Sequence, residues 1–438
     1  MRPLDFNDIA ISRRNLLRGS ALLGAGAAMG AMPGFLSAQE AAARWPNLAR
    51  FIADYVDSGK VANIVLSLGM GDADPEFISG GTLSLGGFTK ADGDSLYRIY
   101  SMTKPITGIA ATMLIDDGKL SLDQPLYEIL PAFRDMKVQK VYDGGIGPDD
   151  LEPAASPITI RQLMTHTSGL GYSIIQQGPI QKAYTEAGLV PGQVTKIPAA
   201  AIFGRGDTVR SLETFADRLA TMPLVAQPGT RWSYSVGLDL LGRVIEVASG
   251  MSFDAFLQSR IFDPCGMTST WFRVPASEVG RLTTNYGVVN GNLLPIDPAA
   301  GSVYLDDPAF PFGGAGLVSS PRDYDRFQQM LLGFGVIDGT RVMSEPAVRL
   351  ATSPMLSTDI DMAGTFAAGA NFGAGGRVGL GADAGSFGWG GAAGTLSSVY
   401  YARNMRMGLY TQYMPANAYD MMPQVQAALA ADLAAMAR

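Results

Sequence analysis

Four residues, Ser101-Met102-Thr103-Lys104, and the apolar helix that follows them constrain this chain more than any other feature. A Ser and a Lys three apart share one face of a helix. With Ser101 in the first turn, its hydroxyl points into whatever cleft the helix end faces. Lys104, one turn on, reaches that hydroxyl as an amine, which makes a serine nucleophilic without a histidine. The helix body carries Ile106, Ile109, Ala110, Met113 and Leu114, tolerates Pro105 in its first turn and stops at Gly118, a left-handed position. The fold therefore has to present a cleft at the start of this helix. Alone, the four residues carry little information, because Ser101 also reads as an ordinary helix N-cap.

The 438 residues are 47% hydrophobic and 17% charged, a globular composition long enough for one large core or two smaller ones. A net charge of −7 argues against nucleic acid as a partner. A single cysteine, Cys265, rules out an intrachain disulfide and a thiolate metal cluster, and a single histidine, His166, rules out a multi-histidine metal centre. Cys265 has no basic neighbour in sequence and reads as a small buried hydrophobe.

Residues 1–43 are expected to be an export signal. Ser12-Arg13-Arg14-Asn15-Leu16-Leu17-Arg18 leads into a weakly apolar Ala/Gly-rich run, Gly19 to Met32, and then into Ala38-Gln39-Glu40-Ala41-Ala42-Ala43. This is the order of charged region, apolar region and small-residue cleavage zone. The paired arginines resemble the twin-arginine signal, which implies the twin-arginine translocase as a partner during export and a periplasmic location. The apolar run is shorter than a spanning helix needs, so no stable membrane insertion is expected after cleavage.

Residues 44–438 read as one α/β domain. Arg44 to Val56 has helical spacing; Ile64 to Leu68 and Thr82 to Phe88 read as strands. Ser211 to Ala220 and Leu238 to Ala248 read as helices, and Ser320-Pro321 as the cap and first position of another. Thr395 to Tyr400 and Met407 to Tyr413 read as neighbouring strands before a terminal helix, Pro423 to Ala437. This order suggests an α/β core closed by both chain ends, with a helical insert over roughly 105–235. The poorly periodic stretch Gly171 to Thr208 is either a lid or pocket wall or a plain surface insertion.

Further motifs follow Ser101 in order. They are Leu163-Met164-Thr165-His166-Thr167-Ser168-Gly169-Leu170, Pro228-Gly229-Thr230-Arg231-Trp232-Ser233-Tyr234-Ser235-Val236, Gly313-Gly314-Ala315-Gly316-Leu317, and Gly388-Trp389-Gly390-Gly391-Ala392-Ala393-Gly394 just before a strand. In this combination the chain, from about Trp45 onward, resembles the class C β-lactamase and penicillin-binding-protein-like serine hydrolases. The resemblance implies an antiparallel sheet flanked by N- and C-terminal helices plus a mainly helical insert. It implies Ser101 as the acylated nucleophile, Lys104 as its partner amine and Tyr234 as the general base and acid. It places Trp389-Gly390-Gly391 at the family's Lys-Thr-Gly strand. Backbone N–H groups of Ser101 and Ala392 would form the oxyanion hole. Tyr234 also reads as a half-buried core tyrosine, and His166 as a hydrogen-bonded structural residue rather than a base. By ordinary values a phenol and an amine are both mostly protonated at neutral pH, so neither is assignable as the base from sequence.

Two departures bear on substrate. Where class C β-lactamases carry Tyr-x-Asn, the third position here is Val236; where they carry Lys-Thr-Gly, this chain has Trp389-Gly390-Gly391. Losing a hydrogen-bonding amide and a cation while gaining apolar surface disfavours anionic lactams. The Trp-Gly-Gly variant resembles the family VIII carboxylesterases. The expected activity is hydrolysis of small, short-chain, partly apolar esters, with Trp389, Gly390, Gly391 and Val236 on the substrate side and Tyr172, Tyr304, Phe312 and Phe387 as candidate pocket aromatics. The alternatives are an amide hydrolase of the same superfamily (β-lactamase, D-amino-acid peptidase or oligoamide hydrolase) and a non-catalytic sensor of β-lactams or peptidoglycan. No cofactor and no metal are implied.

Overall fold

The computed structural model describes residues 38–197 and 208–436. The stretch read as charged and apolar parts of an export signal lies outside the described residues. The helix expected over Arg44 to Val56 is α2 (Pro46–Asp57), with Pro46 in its first turn, and a separate short helix, α1 (Ala38–Arg44), occupies the stretch read as the cleavage zone. The sheet has seven antiparallel strands: β1 (Asn63–Met70), β2 (Glu76–Gly81), β3 (Asn371–Phe372), β4 (Arg377–Val378), β5 (Ser386–Gly390), β6 (Leu396–Tyr400) and β7 (Met405–Tyr410). Their spatial order is β3-β4-β5-β6-β7-β1-β2. The two ends of the chain therefore meet inside one sheet, with Val65 opposite Tyr410 and Met70 opposite Met405.

The expectation of a strand over Thr82 to Phe88 is corrected: the strand is β2, and the chain turns at Gly86, which has φ +74°, leaving Phe88 98% exposed. The residues expected to be loop before it, from Glu76, pair with β1 instead.

Both faces of the sheet are covered, which is why β7 is buried throughout and β1 is buried up to its last residue. Ile64, Leu66 and Leu68 face Met405, Met407 and Leu409 and the apolar stripes of α2 and the terminal helix. Val65 and Tyr410 face the opposite way into the main core. The terminal helix (Met421–Met436) ties the chain ends together: Asp432 accepts the N–H groups of Asn47 and Leu48, both at 3.0 Å, so it satisfies the exposed start of α2 from the other end of the chain.

The main core surrounds α3 (Thr103–Asp116), in which every residue from Thr103 to Leu114 is buried. It is packed by α4 (Gly237–Ser249) and by the Glu345–Ala351 helix, and it ends at Gly118 with φ +71°. Among the described residues between 105 and 235 the regular elements are helices, apart from one ribbon of Lys137–Gln139 with Leu151–Pro153; the helices run on through α4 to Cys265. The helix α5 (Pro321–Leu332) begins as read, with Ser320 accepting the Asp323 N–H at 3.1 Å, and lies on the sheet where Asp325 meets the buried Arg406 at 2.8 Å. Among the described residues no helix is long and apolar enough to cross a membrane.

Candidate active site

Ser101 sits in a single 3-10 turn, Tyr100–Met102, that feeds directly into α3. The turn is fixed from several sides. Ile99 N–H bonds the Leu317 carbonyl at 3.0 Å, and Tyr324 Oη donates to the Met102 carbonyl at 2.8 Å. Arg98, with no exposed surface, pairs with Asp297 and donates to the Thr283 carbonyl at 2.6 Å. These contacts hold Tyr100 at φ +42°, a left-handed position that costs a non-glycine residue about 1–3 kcal/mol.

Two side chains converge on the Ser101 oxygen. Lys104 Nζ donates to Ser101 Oγ at 3.2 Å, and Tyr234 Oη donates to it at 2.8 Å. Lys104 is fully buried; its Nζ also donates to the Gly314 carbonyl at 2.6 Å and lies 4.6 Å from the centre of the Tyr234 ring. Tyr234 stands in the extended stretch before α4, reached through a turn at Gly229 with φ +79°. Its neighbours are pinned by backbone: Trp232 N–H to the Asp361 carbonyl and Ser233 N–H to the His166 carbonyl, both at 2.9 Å.

Trp389 ends β5 beside this group, and its Nε1 donates to Tyr234 Oη at 3.2 Å. The sequence reading placed Trp389 on the substrate side; the structure adds a polar role on the tyrosine. The turn after it is tight against the Ser101 segment: a Cβ on Gly391 would come 2.4 Å from the Ile99 carbonyl oxygen and 2.2 Å from Thr395 Oγ1. Ala392 follows and packs in one cluster with Tyr100 and Ala393. Gly390 and Ala392 are half-buried, as an edge facing a cleft requires. Val236 is a correction to the expected substrate side. It has no exposed surface, its side chain belongs to the main core, and its N–H bonds the Gly171 carbonyl at 3.2 Å.

His166 is buried and touches the Tyr234 ring, with centres 4.6 Å apart. Its Nδ1 accepts the Ser235 N–H at 3.2 Å, so the ring proton is on Nε2. Burial first, and Lys104 second, hold its pKa well below the ordinary histidine value, so the ring is neutral. It acts as a spacer between the Tyr234 stretch and the core. Cys265 is likewise buried, and burial pushes its thiol up to about 12.

Of the candidate pocket aromatics, Tyr172 lies against Tyr234 at 5.8 Å and Tyr304 against Tyr100 at 6.4 Å. Phe312 pairs instead with Phe310 at 4.2 Å, and both it and Phe387 belong to the main core. Sequence reasoning missed Phe366, whose ring meets Trp232 and Tyr234 edge-on and Trp389 at a tilt yet is 68% exposed. It missed Asp239, buried in the first turn of α4. The described part of the 171–208 stretch reaches the site: Val194 packs in the cluster of Tyr100 and Ala392, and Tyr304 Oη donates to the Gln193 carbonyl at 3.2 Å. Residues 198–207 of that stretch are outside the described residues. Among the described residues no group of three or more His, Cys, Asp or Glu is placed to hold a metal ion.

The arrangement is a serine hydroxyl with two proton-carrying partners and a close-packed backbone turn beside it, the parts needed for acyl transfer through a covalent intermediate. The model of the Beta-lactamase family matches residues 48–432. Protein Rv1367c of Mycobacterium tuberculosis is 39% identical over 267 residues, 61% of each chain. Esterase EstB of Burkholderia gladioli is 31% identical over 245 residues, 52% of this chain and 55% of its own length. The chain thus spans well under two thirds of these relatives. Among solved structures, simvastatin synthase (LovD) from Aspergillus terreus, in its LovD6 mutant form, superposes with a TM-score of 0.71 at 22% identity, covering 90% of this chain and 97% of the other. EstCE1, described as a hydrolase with promiscuous acyltransferase activity, gives 0.69 at 22% identity over 87% and 97%. The fold is β-lactamase-like, and with the family model running from the second helix to the last, the chain belongs to the Beta-lactamase family.

Proposed function

We propose that this protein is a serine carboxylesterase that hydrolyses small, partly apolar esters through an acyl-enzyme on Ser101. The observation that carries this is the shared Ser101 Oγ, bonded by Tyr234 Oη at 2.8 Å and Lys104 Nζ at 3.2 Å.

In the reactive form Tyr234 has released its phenolic proton to solvent and accepts the hydrogen bond from Ser101; Ser101 Oγ then attacks the ester carbonyl, and its proton passes to the Tyr234 oxygen. The carbonyl oxygen becomes an oxyanion facing the backbone N–H groups of Ser101 and Ala392; one such donor is worth roughly 3 kcal/mol. The Trp389 N–H and the nearby Lys104 stabilise the tyrosine oxygen while it carries charge. The intermediate collapses, the C–O bond to the alcohol breaks, and the proton on Tyr234 goes to the departing oxygen. Water repeats the sequence on the acyl-enzyme and releases the acid. Trp389, where other members carry a lysine, supplies aromatic surface and no cation, and Phe366 extends that surface outward; both support neutral esters over anionic lactams.

A second reading is transfer of the acyl group to an alcohol other than water. It is favoured by relatives named as acyltransferases, such as the monacolin J acid methylbutanoyltransferase of Aspergillus terreus, 31% identical over 244 residues. The two share the acyl-enzyme and part only in the acceptor. Export by the twin-arginine route remains the proposed localisation, resting on Arg13 and Arg14.

The test is hydrolysis of p-nitrophenyl butyrate by the wild type and by Ser101→Ala. Loss of activity in a folded variant is expected; equal activity in both removes Ser101 from the chemistry. Turnover of nitrocefin as fast as of the ester would overturn the ester preference. Added alcohol that diverts the acyl group would favour the transferase reading.

A further inference from the structure

We propose that Asp239 is a positioning residue of this site: its carboxylate is the buried counter-charge that keeps Lys104 as an ammonium aimed at Ser101. Asp239 and Lys104 both have no exposed surface, and they are linked through one residue. Asp239 Oδ1 accepts the Gly314 N–H at 2.8 Å, and the Gly314 carbonyl accepts Lys104 Nζ at 2.6 Å. Among the described residues Asp239 Oδ2 has no hydrogen-bond partner. An interior carboxylate with so few donors is kept only where a cation lies close by. Gly314 is a glycine because of this approach: a Cβ there would come 2.5 Å from Asp239 Oδ2. Thr107 Oγ1 fixes the preceding carbonyl, that of Gly313, at 2.7 Å, so the loop between the two charges is held to α3.

The charges around Asp239 are few. From α3 comes Lys104, and the Gly313 to Gly316 loop brings no charged side chain. Arg161 of the Ile160–Met164 helix is paired with Asp123 at 2.6 Å, and Glu213 of the Leu212–Leu219 helix with Arg243 at 3.0 Å; both acids are exposed. Asp254 of the Phe253–Leu257 helix is also exposed. Burial raises Asp239 to about 6 even though Lys104 and the Gly314 N–H act to lower it. Above that pH Asp239 carries its negative charge on the far side of Gly314 from Lys104. Lys104 is then a fixed donor to Ser101 Oγ, and the oxygen left to take the Ser101 proton is that of Tyr234. Below it, Asp239 takes up a proton and the balance is lost. This role rests on Ser101 being the acylated residue.

Asp239→Asn keeps the shape and an acceptor for Gly314 while removing the charge. On p-nitrophenyl butyrate its kcat is expected to fall about a hundredfold with KM within about twofold, and the acid limb near pH 6 of the wild-type kcat profile to vanish. Asp323, another buried carboxylate raised to about 6, is bonded by Ser269 N–H at 2.6 Å and Thr270 Oγ1 at 2.9 Å rather than tied to Lys104, and Asp323→Asn is expected to keep the limb. A second measurement needs no activity. In Lys104→Met, infrared difference spectroscopy at pH 7 should show a new protonated-carboxyl band, because Asp239 has lost its cation. An unchanged kcat and acid limb in Asp239→Asn, or no new band in Lys104→Met, overturns the proposal. Failure of the esterase reading shows separately, as undiminished activity in Ser101→Ala.

Discussion

Trp389 donates its indole N–H to the phenolic oxygen of Tyr234 at 3.2 Å, so the oxygen that bonds Ser101 is itself held by a neutral donor. At this strand position the lysine of class C β-lactamases would bring a cation. Here the site keeps a hydrogen bond to the tyrosine and drops the charge that would draw an anionic substrate. The donor has most effect when the oxygen carries charge, and hydrogen bonds to charged groups contribute about 1.5–3 kcal/mol. Trp389→Phe, which keeps the ring and loses the N–H, is expected to lower kcat about ten- to a hundredfold with little change in KM. Steady-state kinetics on p-nitrophenyl butyrate decides it: a rise in KM alone would make Trp389 a substrate wall and nothing more.

Lys104 is fully buried and bonds both Ser101 Oγ and the Gly314 carbonyl. Lys104→Ala removes a cation from the interior and leaves Gly314 and Asp239 without it. Loss of activity by about a thousandfold or more is expected, together with a lower Tm. Arg at 104 has a longer, planar head that does not fit a pocket shaped for one ammonium, so Lys104→Arg should not restore the rate. Recovery in the arginine variant would show that charge alone, not the bond to Ser101 Oγ, is required.

How much of this was legible beforehand depends on the distance over which each residue acts. Ser101 and Lys104 are three apart, so a helical repeat brings them together and the sequence pattern suffices. Tyr234 and Trp389 were found through ordered motifs, but the bond between them joins residues 155 apart, and no local pattern encodes it. Asp239 looked like an acid in a helix's first turn, an ordinary position; only the packing of α3 against α4 shows it buried beside Lys104. Val236 was placed by analogy with a polar residue, and being apolar it went to the core. The misplaced strand over Thr82 to Phe88 has the same cause: Leu83 and Phe88 look like strand residues, but Gly86 and Gly87 turn the chain and β1 pairs upstream.

Asp323 carries a pH prediction for stability. Burial raises it to about 6, against bonds from Ser269 and Thr270 that lower it. An unfolded aspartate titrates near about 4, so between about pH 4 and 6 the folded protein binds more protons than the unfolded chain. Stability from this group is therefore present below that window and is lost as pH rises through it, by about 3 kcal/mol. Asp239 acts in the same direction. The difference in unfolding free energy between wild type and Asp323→Asn, measured by urea at pH 4.5 and pH 7, should shift in favour of the variant at pH 7. A difference that does not move with pH would remove Asp323 as the cause.

Gly391 makes room for the turn that presents Ala392. An added Cβ would meet Thr395 Oγ1 at 2.2 Å and the Ile99 carbonyl at 2.4 Å, both too close to stand. Gly391→Ala should push the turn away from Ser101 and cost about a hundredfold in kcat, the scale of a displaced oxyanion donor. Gly280, where a Cβ meets nothing within 4 Å, is the control, and Gly280→Ala should keep wild-type rates. Full activity in Gly391→Ala would show that the oxyanion is not held by this turn.

Phe366 gives the specificity prediction. Its ring lies 5.3 Å from Trp232, 5.4 Å from Tyr234 and 6.1 Å from Trp389, yet 68% of its surface is open. A largely exposed aromatic ring in edge contact with the candidate nucleophile's partner offers apolar surface to a substrate chain. Each methylene buried there contributes up to about 0.8 kcal/mol. An acetyl group is too short to reach such a surface fully, whereas a hexanoyl group is long enough. Phe366→Ala should therefore lower kcat/KM for p-nitrophenyl hexanoate about tenfold more than for the acetate. Parallel losses on both esters would mean that Phe366 supports the Tyr234 ring rather than the substrate. No loss on either would show that the exposed Phe366 ring neither meets the acyl chain nor supports Tyr234.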